Sequence, residues 1–122
     1  MNSFTPLSPE DIAYLLNLPY HLANGKMDDE LCTLLTDYDF INHKITISSP
    51  QLLIEDYDLT QSSNSQISEK EKESLRLIQS AIRLSENILD EDETQLAGQL
   101  LGRLLSFEMP EIKAMLEQAK QQ

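Results

Sequence analysis

Cys32, His21 and His43 are the residues of this chain best suited to chemistry, since a thiolate and an imidazole can act as nucleophile and base. No sequence motif links them. A zinc site needs further ligands at matched spacing, which one cysteine and two separated histidines do not supply. Cys32 sits within an apolar helical pattern and reads as a buried, reduced thiol. His21, next to Tyr20 on a helix, reads as a hydrogen-bonded structural histidine. Two carboxylate-rich phrases, Asp37-Tyr38-Asp39 and Asp56-Tyr57-Asp58, invite a calcium reading. An EF-hand loop requires more oxygen ligands and a central glycine, and Phe40 and Leu59 stand where polar groups are needed. The phrases read instead as buried tyrosine rings flanked by capping aspartates, and their recurrence suggests a repeated helix end. The acids at 90–93 would need a cleft with aromatic walls to act as a glycosidase pair, and aromatic residues make up only 6% of the chain. No glycine-rich phosphate cradle is present. No residue is assigned as catalytic, cofactor-binding or metal-binding, and the chain is not read as an enzyme.

The elements that carry these residues follow from composition and periodicity. Leucine and isoleucine supply most of the apolar content, Val and Trp are absent, and three glycines are too few for a turn-rich β fold. The expected fold class is all-α, a compact array of about six to seven helices packed as antiparallel hairpins. A chain of 122 residues fits a single helical domain over 1–122 and can bury a core without metal or disulfide. Sub-halves 8–59 and 68–120 are expected, joined by a loop at 60–67.

The central hairpin spans 68–105. Before its acidic corner, Leu75, Ile78, Ala81, Ile82, Ser85, Ile88 and Leu89 recur at helical spacing, and after it Leu96, Leu100 and Leu104 do the same. A short polar turn between two such stripes favours antiparallel packing. Ser68 with Glu71 predicts the capping box that opens the first arm. Gly98 and Gly102 sit four apart in the second arm, a spacing that would let a neighbouring helix approach closely.

The remaining helices cover this hairpin. Ser8 and Pro9 predict the first helix, with Asp11 as the acidic partner three residues on, Pro19 as a kink, and Asn24-Gly25 as a left-handed stop. A second helix is expected over 28–36, with Leu31, Leu34 and Leu35 inward. Asp39 is the candidate cap of a third helix carrying Phe40, Ile41, Lys44 and Ile45. Ser49-Pro50 opens a fourth with Leu52, Leu53, Ile54 and Tyr57. The polar run 61–66 is the expected hinge or proteolytic site. Pro110 opens the last helix, with Ile112, Met115, Leu116 and Ala119 on its inner face. Apolar surface left for partners is expected, with the last helix a candidate.

Twenty-one acidic and nine basic residues give a net charge of −12, which disfavours nucleic acid and anionic membranes because phosphate binding needs clustered cations. No apolar run approaches the roughly 18 residues of a membrane span. A cytoplasmic location is expected.

Residues 18–59 resemble the helical domain of apoptotic protease-activating-factor-like proteins. The resemblance rests on Tyr20-His21, Lys26, Glu30-Leu31, Leu34-Leu35, Asp39-Phe40, Lys44, Leu52-Leu53 and Asp56-Tyr57, in that order. Residues 75–119, with AIRLS, QLAGQLLGRL and PEIKAMLEQAK, look like the second half of the same domain in bacterial relatives. The resemblance implies a non-catalytic scaffold or interaction module. It would be the arm between an NB-ARC nucleotide-binding module, with its winged helix, and a WD-repeat propeller in signalling NTPases. Its implied partners are those neighbouring domains, in cis or in trans, with no cofactor and no small-molecule substrate. A free-standing acidic adaptor for a basic protein partner is the alternative.

Overall fold

The computed structural model describes residues 8–62 and 65–121. Residues 1–7, Ser63 and Asn64 of the polar loop, and Gln122 lie outside the described residues. The described chain is all α-helical apart from turns and one 3-10 turn: α1 (Pro9–Asn24), α2 (Asp28–Leu35), α3 (Tyr38–Ile47), α4 (Pro50–Asp58), α5 (Glu69–Leu84), α6 (Glu86–Glu91), the 3-10 turn Glu93–Gln95, α7 (Leu96–Leu104) and α8 (Pro110–Lys120).

Three helix starts follow the local rules. The hydroxyls of Ser8, Ser49 and Ser68 accept from the backbone N–H of Asp11, Leu52 and Glu71, three residues on, and Pro9 and Pro50 occupy first helical positions. The Ser68 hydroxyl also donates to Glu71 Oε1, at 3.1 Å. The third helix departs from expectation. Its cap is Asp37, which is extended at ψ 115 and accepts from the Asp39 N–H at 3.1 Å. Asp39 already lies inside the first turn.

The stop of α1 is also shifted. Gly25 has an ordinary φ of −82, and Lys26 is the left-handed residue, at φ 58. The Met27 N–H reaches the Leu22 carbonyl at 2.9 Å and the Lys26 N–H reaches that of Ala23 at 3.2 Å, which makes a Schellman turn with lysine where glycine is usual.

The first arm of the central hairpin is divided at Ser85, although its apolar periodicity runs on to Leu89. The Ser85 hydroxyl donates back to the Ala81 carbonyl at 2.8 Å, a bond that competes with the helix ladder. Arg103 of α7 donates from Nε to the same hydroxyl at 2.8 Å and from Nη2 to the Leu84 carbonyl at 3.3 Å. The break is therefore held from across the hairpin, and Leu84 turns out to solvent, 65% exposed.

α5 packs against α4 and α7, α7 against α8, and α3 against α4 and α8, so helices from both ends of the chain meet. The core holds Leu31, Leu35, Ile41, Leu53, Tyr57, Leu75, Ile78, Ile82, Leu96, Leu100, Leu104 and Ile112, each at most 1% to 2% exposed. Leu52 of α4 is exposed, unlike Leu53, Ile54 and Tyr57. A Cβ built on Gly98 or Gly102 meets nothing within 4 Å, so among the described residues no helix packs closely there and the close-packing expectation is corrected.

Candidate functional site

The chemistry-bearing residues do not converge on one another. Cys32 is buried on α2, and its thiol donates to Glu71 Oε2 of α5 at 3.4 Å. Burial first, then the Glu71 carboxylate, pushes the thiol up to about 12, so the nucleophilic thiolate is suppressed. His21 is exposed on α1, its ring edge-on to Tyr20 with centroids 6.0 Å apart, rather than in the packed interior. His43 on α3 sets Nδ1 2.8 Å from the Asp39 carbonyl oxygen. The acids at 90–93 are exposed, and Asp92 caps the following 3-10 turn by accepting from the Thr94 N–H at 3.0 Å. Among the described residues no group of three or more His, Cys, Asp or Glu is arranged to hold a metal ion.

The two Asp-Tyr-Asp phrases prove structurally unlike. Asp37-Tyr38 begins α3, whereas Tyr57-Asp58 ends α4, so they are not a repeated helix end. Both tyrosines are buried as expected, Tyr38 at 3% and Tyr57 at 0% exposure. Of the aspartates, only Asp37 caps. Asp56 pairs with Lys44, and Asp58 accepts from Gln79 Nε2 at 2.8 Å.

What the structure builds from these residues is a set of ties between helices. Lys44 is 3% exposed on α3, between Ile41 and Ile45. Its ammonium donates to the Leu16 carbonyl of α1 at 3.0 Å and lies 3.0 Å from Asp56 Oδ2 of α4. Pro19 lacks an N–H and so leaves the carbonyl of Leu15 without its helical donor, one residue before the Leu16 contact. The second contact is electrostatic more than directional, because Asp56 Oδ2 has no aligned hydrogen-bond donor. Burial pushes the Asp56 carboxyl up to about 6, and the Lys44 ammonium opposes that rise.

Tyr57 closes α2. Its hydroxyl donates to the Leu35 carbonyl at 2.8 Å, one of the carbonyls a helix end leaves without an internal partner. Full burial raises its phenol well above the usual range. Gln118 of α8 opens α3: its Oε1 accepts from the Tyr38 N–H at 3.1 Å and its Nε2 donates to Asp37 Oδ1 at 2.8 Å. Gln79 of α5 bridges to the Ile54 carbonyl of α4 at 2.9 Å as well as to Asp58. Ser74 of α5 donates to Glu111 of α8 at 2.8 Å.

Sequence reasoning missed Gln79, Arg103, Glu111 and Gln118 as structural ties. Their partners lie many residues away, and no local pattern marks them. Lys44 did carry a signal: it is a lysine on the apolar stripe of its helix, beside Phe40, Ile41 and Ile45.

These ties bear on identity, because Lys44, Asp56 and Tyr57 belong to the spacing on which the family resemblance rests. Comparison with curated proteins and with solved structures finds no match. The model of the APAF-1 helical domain matches residues 2–121. The chain belongs to the APAF-1 helical domain family.

Proposed function

We propose that this chain is a non-catalytic helical arm that holds neighbouring domains of an NB-ARC-type signalling NTPase in a fixed relation. Those neighbours are the nucleotide-binding module with its winged helix and a WD-repeat propeller, met in cis or in trans. The chain folds as one body and acts mechanically, as packed cores shift as units. The observation that carries this reading is how the buried polar side chains are used. Lys44, Asp56, Tyr57, Gln79 and Gln118 each tie one helix to another, which is what a rigid spacer needs. Cys32, the strongest nucleophile by type, is held by Glu71 with its thiolate disfavoured.

Calorimetric titration of the chain against separately produced NB-ARC–winged-helix and WD-repeat domains tests the reading. Saturable binding to either supports the arm. Binding to neither, with a basic protein recovered instead, supports the acidic-adaptor reading, for which the exposed acids at 90–93 are the favouring feature.

A further inference from the structure

The last helix is not where apolar surface remains; its Ile112, Met115, Leu116 and Ala119 are all buried. Apolar surface remains uncovered on α1, whose only buried residue is Pro19, as well as singly at Leu52, Leu84 and Leu105 elsewhere in the fold. Tyr14, Leu18 and Leu22 follow one another at four-residue spacing along one ridge of α1, and Tyr14 is 61% exposed. With Leu34 of α2 they form the floor of an open trough of about 420 Å³ between the two helices. Asp29 and Glu30 stand exposed on its α2 rim, and none of the residues lining it is basic.

We infer that this trough is a docking groove for a basic amphipathic helix of a partner protein. Two helical ridges side by side accept a third helix laid between them, with apolar anchors repeating every three or four residues. The rim chooses the sign of the flanking charges. Asp29 and Glu30 attract Lys or Arg beside those anchors and repel an acidic helix of the same apolar pattern. Apolar floor and acidic rim occur together here, whereas the exposed acids at 90–93 line none of the described grooves. The groove stands independently of the arm reading, since it commits to the chemistry of the occupant and not to the domain that carries it.

The test uses the full chain, isotope-labelled for NMR, and two synthetic amphipathic helices of one apolar pattern. One is built of Leu and Lys, the other of Leu and Glu. The Leu/Lys helix is expected to shift amides at 14–22 and 29–34, and the Leu/Glu helix to leave them unmoved. Tyr14→Ser, at an exposed position, is expected to weaken Leu/Lys binding about tenfold by removing an aromatic anchor. The pair Asp29→Lys with Glu30→Lys is expected to reverse the preference toward the Leu/Glu helix. The inference is overturned by shifts centred on 90–93 and insensitive to Tyr14→Ser, which would show attraction by net charge alone. Equal binding of both helices overturns it, as does binding of neither. Concentration-dependent shifts at 14–22 without peptide would assign the groove to a second copy of the chain and also overturn it.

Discussion

Gln118 and Asp37 stand 81 positions apart and share a hydrogen bond of 2.8 Å. The same glutamine accepts from the Tyr38 N–H, so the start of α3 is completed by a side chain from the last helix. Replacing Gln118 with Ala removes both contacts and is expected to cost about 1–2 kcal/mol, as loss of a cap does. Gln118→Glu is expected to be worse than Ala, since a carboxylate cannot donate to Asp37 and repels it. Urea unfolding of the two variants checks the order.

Lys44 and Asp56 are expected to be the most sensitive pair in the chain. Lys44→Ala leaves a buried carboxylate without its ammonium and the Leu16 carbonyl without its donor, at a cost of about 3–5 kcal/mol near neutral pH. Lys44→Met combined with Asp56→Leu is expected to recover most of that loss, because two apolar side chains need no partners. Unfolding midpoints of the single and double variants form the measurement.

The same aspartate sets a pH dependence. The folded carboxyl titrates at about 6, above the value of about 3.9 for an unfolded aspartate, so the folded state binds the proton more tightly. Its contribution to stability is therefore present in full below about pH 4 and is lost as pH rises through about 6. The stability difference between the natural chain and Asp56→Asn is expected to move against the natural chain by about 2–3 kcal/mol across that window. A flat difference would show that Lys44 cancels the burial.

Gly98 and Gly102 lie in open helical positions. Gly98→Ala and Gly102→Ala are each expected to stabilise by about 0.5–1 kcal/mol, the helix-propensity difference, since nothing stands in the way of the added methyl. Destabilisation by either, read by thermal unfolding, would place another helix against that face.

The helix content was legible because capping serines, first-position prolines and apolar periodicity are local signals. Errors arose where the deciding contact is remote. Asp37 and Asp39 flank Tyr38 symmetrically in sequence, and the choice of cap rests on which one stays extended, with Gln118 seated on Asp37. Ser85 continues an apolar period, so its break becomes visible only with Arg103 opposite. The glycines suggested close approach by spacing alone, and spacing does not say what faces them. The ties followed the same rule: Lys44 was conspicuous on an apolar stripe, while Gln79 and Gln118 look like ordinary surface glutamines until the helices are assembled.

Native-state hydrogen exchange tests most directly whether the chain is one rigid body, on which its use as an arm depends. The slowest amides of α3, α4, α5 and α8 are expected to share one opening free energy, equal to that of global unfolding, and Gln118→Ala is expected to lower all of them together. If α8 opens at a lower free energy than α3, and Gln118→Ala leaves α3 unchanged, the two ends of the chain move independently and the rigid-arm account is contradicted.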